Sequence, residues 1–177
     1  ESEALALQAG DDSDVYVVPA FAGLGAPYWD MYSRGAIFGL TRDTSREQIV
    51  RATLESLAFQ THDVLTAMQA DTGVPLKKLL VDGGASANNF LMQFQADIIN
   101  TPVERPLIIE STAMGAAYLA GIAAGIWDRS WITAHRRVDR VFTPSMEDAK
   151  RQARCARWLN AVKRTMNWSD NKEHKDV

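Results

Sequence analysis

The chain has 177 residues, 46% hydrophobic and 23% charged, and its 19 basic and 22 acidic side chains leave a net charge of -3. That is enough apolar material for one domain with a sizeable core, and the scattered basic residues of its first two-thirds give no support to a nucleic-acid partner. One cysteine, Cys155, excludes an internal disulfide, His62, His135 and His174 lack metal-ligand spacing around it, and no apolar run approaches the ~20 residues of a membrane span, so a cytoplasmic protein of small-molecule chemistry is expected.

Residues 1–14 are acidic and poorly patterned and read as a lead-in to a domain over 15–168. Val15–Pro19 (VYVVP) is the first extended run, stopped by its proline. The loop Ala20–Asp30 (AFAGLGAPYWD) carries Phe21, Tyr28 and Trp29, too apolar for a solvated linker, so it is expected to pack down. Gly35–Leu40 (GAIFGL) reads as a second extended segment. Ser45 and Gln48 then have the spacing of a reciprocal helix cap. Val50, Leu54, Leu57, Val64 or Leu65, and Met68 follow on one stripe. This predicts a helix of roughly 40 Å, reaching about Asp71 and ended by Gly73-Val74-Pro75.

Lys78–Val81 predicts a buried strand, Ala87–Asn100 a helix, Pro102–Arg105 a short strand, and Thr112–Gly125 a helix dense in small residues. Strand, helix, strand, helix in so short a space argues for an α/β fold with parallel strands and crossover helices. Gly115, Ala116, Ala117, Ala120, Gly121 and Ala124 leave room for another element to pack closely on the last of these helices. Met146–Trp168 predicts a docked amphipathic helix with Trp158, Leu159, Val162 and Met166 on one side, and 169–177 is a polar tail.

Between the buried strand and its helix lies LLVDGGASANN (Leu79–Asn89). Two glycines and small residues at such a corner leave backbone N–H groups free for an anion and let a nucleotide lie against the main chain. Gly83, Gly84 and Ala85 would form that loop, and Asn88, one turn into the helix, could both donate to and accept from a base or ribose. The alternative is a plain turn with glycine for conformation and Asn88 as a cap, and spacing alone leaves the two readings even. Neither G-x-G-x-x-G nor G-x-x-x-x-G-K-[ST] occurs.

Four ordered blocks tip that balance: VPAFAGLGAPYWD (Val18–Asp30), RGAIFGLTRDTSREQIVRATLESLAFQT (Arg34–Thr61), VDGGASANNFLMQFQADI (Val81–Ile98) and TAMGAAYLAG (Thr112–Gly121). Together they resemble the C-terminal half of the FGGY carbohydrate kinases, of the actin-like ATPase superfamily. The resemblance implies a partial actin-like (ribonuclease H-like) nucleotide-binding domain, its initial strands upstream of this chain. It further implies ATP with Mg2+, Gly84 and Ala85 against the nucleotide beside Gly83, and Asn88 near the adenine. The form GAPYWD is similar to that of members which phosphorylate glycerol rather than pentoses or gluconate. The catalytic aspartate and most substrate contacts match nothing here, so no catalytic residue is expected in this chain, and the chain alone is expected to be inactive. Its partners would be glycerol, ATP, the N-terminal half of the same enzyme and further copies of itself. Another FGGY sugar or polyol kinase is the nearest alternative, and a non-catalytic binding or assembly module is the alternative from another class.

Overall fold

The computed structural model describes residues 1–11 and 13–169, and most of the polar tail at 169–177 lies outside them. In chain order the elements are α1 (Ser2–Gln8), β1 (Tyr16–Val18), β2 (Ala36–Phe38), α2 (Arg46–Thr72), β3 (Leu79–Leu80), a 3-10 turn (Gly84–Ala87), α3 (Asn89–Ile99), β4 (Val103–Pro106), α4 (Ser111–Ala123), α5 (Arg129–His135), β5 (Val138–Phe142) and α6 (Asp148–Thr165). β1 and β2 pair antiparallel, with Tyr16 opposite Phe38. The other sheet has the order β3-β4-β5, with β3 and β4 parallel across α3 and β5 antiparallel to β4. Among the described residues the expected parallel pairing with a crossover helix therefore holds for β3 and β4 alone. Short apolar runs carry no mark of direction, which is set by the route of the connections.

The residues read as an unpatterned lead-in form α1, whose Ala6 is fully buried. Seven residues are too few to display a helical period, and tertiary contact supplies what local propensity does not. Part of that contact is explicit: the Glu3 carboxylate accepts hydrogen bonds from the Asn89 backbone N–H and from Asn89 Nδ2, each at 3.1 Å.

The long helix α2 begins as its sequence predicts. Ser45 Oγ accepts from the Gln48 N–H at 3.3 Å, and Gln48 Oε1 accepts from the Ser45 N–H at 3.0 Å. It ends at Gly73, whose φ of +66° suits glycine and whose N–H reaches the Gln69 carbonyl at 2.8 Å. Its buried face is not the predicted stripe. Leu57, Val64 and Met68 are exposed, whereas Arg51, Ala52, Glu55, Ser56, Ala58 and Phe59 are buried. The reason is pairing: Glu55 accepts from Arg51 Nε at 2.8 Å and from Arg154 Nη2 of α6 at 2.5 Å, so the charges satisfy one another inside.

Phe59 is the centre of the core. Its ring stacks on Trp158 of α6 at 5.1 Å, meets Phe94 of α3 edge-on at 5.4 Å and lies 5.9 Å from Tyr16 of β1. One aromatic side chain thereby joins two helices and a strand to its own. Trp158 and Val162 of α6 are buried as the amphipathic pattern predicts, while Leu159 is exposed and Arg154 takes a buried place over the Phe94 ring.

Three packing expectations are corrected. The strand at β3 is not buried: it is the edge of its sheet, and Leu80 is 53% exposed. The small residues of α4 are mostly exposed, and of its two glycines only Gly121 has a close neighbour, where a Cβ would come within 2.1 Å of the Trp127 ring. The loop 20–30 packs down only in part: Ala20 is buried and Leu24 and Tyr28 pack on the core, but Phe21 is 84% and Trp29 77% exposed. In each case the apolar pattern is present and its cover is not supplied by the described residues of this chain.

Candidate functional site

The corner after β3 stands at the carboxyl end of the parallel pair β3 and β4, the place where open α/β sheets take ligands. Hydrogen bonds from the Val81 N–H to the Glu104 carbonyl at 3.1 Å and from the Gly83 N–H to the Ile109 carbonyl at 2.7 Å fasten the chain beside the start of α4. The Gly83 carbonyl then accepts from both the N–H and the hydroxyl of Ser86, at 3.0 and 2.7 Å, which closes the 3-10 turn. Ser86 is buried, so the turn is anchored at its middle and open at its front.

The two glycines differ in what they are for. Gly83 has φ +77° and ψ 171°, a conformation open essentially to glycine alone. Gly84 lacks such a φ, and a Cβ built on it meets nothing within 4 Å. Neither backbone conformation nor internal packing requires glycine at 84. The N–H groups of Gly84 and Ala85 find no acceptor among the described residues, and both residues are exposed. The result is a bare ledge of main chain with two free donors, able to receive a flat or anionic group at close range.

Asn88 is not one turn into the helix; it is the N-cap of α3, its Oδ1 accepting from the Leu91 N–H at 3.0 Å. The chain needs the 3-10 turn before α3 can start, which displaces the cap to this position. The cap engages Oδ1 and leaves Nδ2 without a partner among the described residues, so Asn88 offers a donor. The expected residues Gly83, Gly84, Ala85 and Asn88 thus lie on one turn and are brought together.

Arg105 is absent from the sequence expectation. From β4 it donates to the Ser86 carbonyl at 2.8 Å and to Asn89 Oδ1 at 3.1 Å, and it pairs with Asp139 of β5 at 2.6 Å. It ties the back of the turn to the sheet. Its place within the short strand β4 offered no distinctive signal, since a charged residue in such a strand is common. Asp30, by contrast, behaves as a local hydrogen-bonding residue: the Ser33 hydroxyl and the backbone N–H groups of Asn167 and Tyr32 donate to it and hold its carboxyl below the ordinary range. Asp82 is exposed beside the corner. A cavity of about 700 Å³ near α1 and α3 and one of about 570 Å³ between α4 and α5 both exclude the four corner residues. The corner is an open wall, not an enclosed pocket.

A parallel pair ends in a glycine turn, and a helix of small residues follows it. Residues 1–124 match the model of the C-terminal domain of the FGGY family of carbohydrate kinases, and the chain belongs to that family. It is 60% identical over 171 residues to the glycerol kinase of Caldanaerobacter subterraneus subsp. tengcongensis, covering 96% of this chain and 34% of the relative. It is 62% identical over 168 residues to that of Halorhodospira halophila, covering 95% and 33%. Among solved structures it resembles a Plasmodium falciparum glycerol kinase with ADP (TM-score 0.83, 41% identity, 93% of this chain and 33% of that one). It also resembles a ligand-bound xylulose kinase from Lactobacillus acidophilus (TM-score 0.71, 27% identity, 92% and 33%). The chain spans about a third of the length of the curated relatives it matches, and its fold is part of the actin-like fold of these kinases.

Proposed function

We propose that this chain is the nucleotide-side part of an ATP-dependent kinase that transfers phosphate to the terminal hydroxyl of glycerol, giving glycerol 3-phosphate. The observation that carries the reading is Gly84, a glycine that neither its conformation nor its packing requires, on a ledge with two unpaired N–H groups. The identity to glycerol kinases of two bacteria supports the substrate, since the pentose and gluconate kinases among the structural relatives are near 27% identical.

Within that reading the roles of this chain's residues follow from their geometry. Gly83 sets the turn, Gly84 and Ala85 present main-chain donors to the nucleotide, and the Asn88 amide donates to the adenine side. Arg105 and the Ser86 anchor hold the turn rigid, so little ordering remains to be done when the nucleotide binds. Phosphoryl transfer depends mostly on positioning and charge stabilisation, and a wall that fixes one end of ATP serves the former. Magnesium, when bound with ATP, supplies charge neutralisation at the phosphates. Among the described residues no group of three or more His, Cys, Asp or Glu could hold a metal ion, so its ligands in this reading are phosphates, water and residues outside this chain. The base that accepts the glycerol proton is assigned to no residue here. Self-association belongs to the same reading and is read by light scattering of the full-length protein.

Calorimetric titration of Mg-ADP into the full-length protein and its Gly84→Val variant is the test. Binding weakened ten-fold or more with the fold intact supports the ledge as the nucleotide seat, and unchanged affinity refutes it. A panel of polyols assayed on the same protein separates glycerol from a pentose or another polyol.

A further inference from the structure

The only cysteine of the chain does not stand alone. Cys155 Sγ on α6 lies 4.0 Å from His62 Nε2 on α2, and His62 Nδ1 lies 3.5 Å from Asp63 Oδ1. The second oxygen of Asp63 accepts from Trp158 Nε1 at 2.7 Å and from the Tyr28 hydroxyl at 2.8 Å, which fixes the carboxylate. Cys155 and His62 are both partly exposed at this seam. Nucleophile, base and an orienting acid in that order are the arrangement that activates a thiol.

We infer that Cys155 is a reactive thiol, a site of oxidation by hydroperoxides, because His62 within reach of its sulfur takes the thiol proton and is itself held by the Asp63 carboxylate. The site is independent of the nucleotide reading. The thiol proton passes to His62 Nε2, the ring nitrogen that faces the sulfur. The hydrogen bond to Asp63, foremost, and then the contact with Cys155 raise His62 from 6.5 to about 9, against the opposing effect of burial. The sulfur attacks one peroxide oxygen, an S–O bond forms and the O–O bond breaks. Sulfur is oxidised to a sulfenic acid, the peroxide is reduced, and the departing alkoxide or hydroxide takes the imidazolium proton and leaves as alcohol or water. The other groups facing the seam are Tyr16 of β1, the Tyr28 hydroxyl, and Glu55 and Arg154, which are paired with each other. Neither tyrosine competes as a base, because burial raises both hydroxyls above their ordinary value.

The test is alkylation of the full-length protein by iodoacetamide, read by mass spectrometry on the Cys155 peptide, for wild type and His62→Gln at about pH 7 and about pH 10. The expected result is about ten-fold faster labelling of wild type at the lower pH and rates within about two-fold at the higher, where a thiol ionises without help. A role in packing alone changes both pH values alike. Equal rates at the lower pH, an equal ratio at both, or faster labelling of the variant would overturn the inference. In parallel, hydrogen peroxide followed by dimedone gives a dimedone adduct on Cys155 in wild type and a several-fold smaller yield in His62→Gln. No adduct on wild-type Cys155 overturns the oxidation step. Cys155→Ser, which removes the labelled position, fixes the assignment of both signals.

Discussion

Gly83 and Gly84 are neighbours of one residue type, and substitution separates their roles. Gly83→Ala forces a side chain into a φ of +77° and is expected to cost about 1–2 kcal/mol of stability, seen as a lower midpoint in denaturant. Gly84→Ala carries no such penalty, and under the proposed function its effect is expected to be confined to nucleotide affinity. Asn88 allows a similar separation. Asn88→Ala loses the cap and costs about 1 kcal/mol, whereas Asn88→Asp keeps an acceptor for the Leu91 N–H and loses only the Nδ2 donor. Stability retained by the aspartate variant with weakened Mg-ADP binding is the expected pair of results, and equal affinity of wild type and Asn88→Asp would count against a nucleotide contact. Gly84 shows what a sequence holds back: the glycine is visible in the sequence, but only the fold reveals that no internal neighbour explains it.

At the scale of elements, α2 holds the core together where Phe59 meets α3, α6 and β1 and where Glu55 joins it to α6. Phe59 touches α3, α6 and β1 from α2, so Phe59→Ala is expected to cost about 3–5 kcal/mol, measured by equilibrium unfolding. Glu55→Ala leaves Arg51 and Arg154 facing each other without their shared carboxylate, for a loss of similar size, about 3–5 kcal/mol. His62 gives the seam a pH dependence. Its value in the folded protein, about 9, lies above the ordinary 6.5, so the contribution is complete below about pH 6.5 and is lost as pH rises through about 9. The thermal midpoint of wild type therefore falls more steeply than that of His62→Gln between those limits, and parallel curves would remove His62 from the account. The predicted stripe of α2 fails for an instructive reason: periodicity counts apolar residues, and the buried face here is made of paired charges, small residues and one phenylalanine.

Across the whole molecule, apolar side chains crowd surfaces that the described residues do not cover. Phe21, Trp29 and Met31 form one such group, and the exposed small face of α4 is another. Because the chain spans a third of its relatives, it is expected by itself to show no glycerol-dependent ATP turnover, whereas the proposed function expects turnover from the full-length protein. A coupled assay of both reads this directly, and turnover by the chain alone would place the reacting groups within these residues.

The sequence by itself determined the family, the positions of α2, α3, β4 and α4 to within a few residues, the capping box at Ser45 and Gln48, and the four residues of the corner. These are local properties, written in spacing, glycine placement and ordered motifs. The tertiary structure alone decided that α1 forms, that among the described strands one pair is parallel, that β3 is an exposed edge, that Asn88 is a cap, and that Arg105 holds the turn. It alone brought Cys155 to His62 across 93 residues of sequence. Each of these depends on which distant group arrives beside which, and the free energy of such a meeting resides in no single stretch of chain.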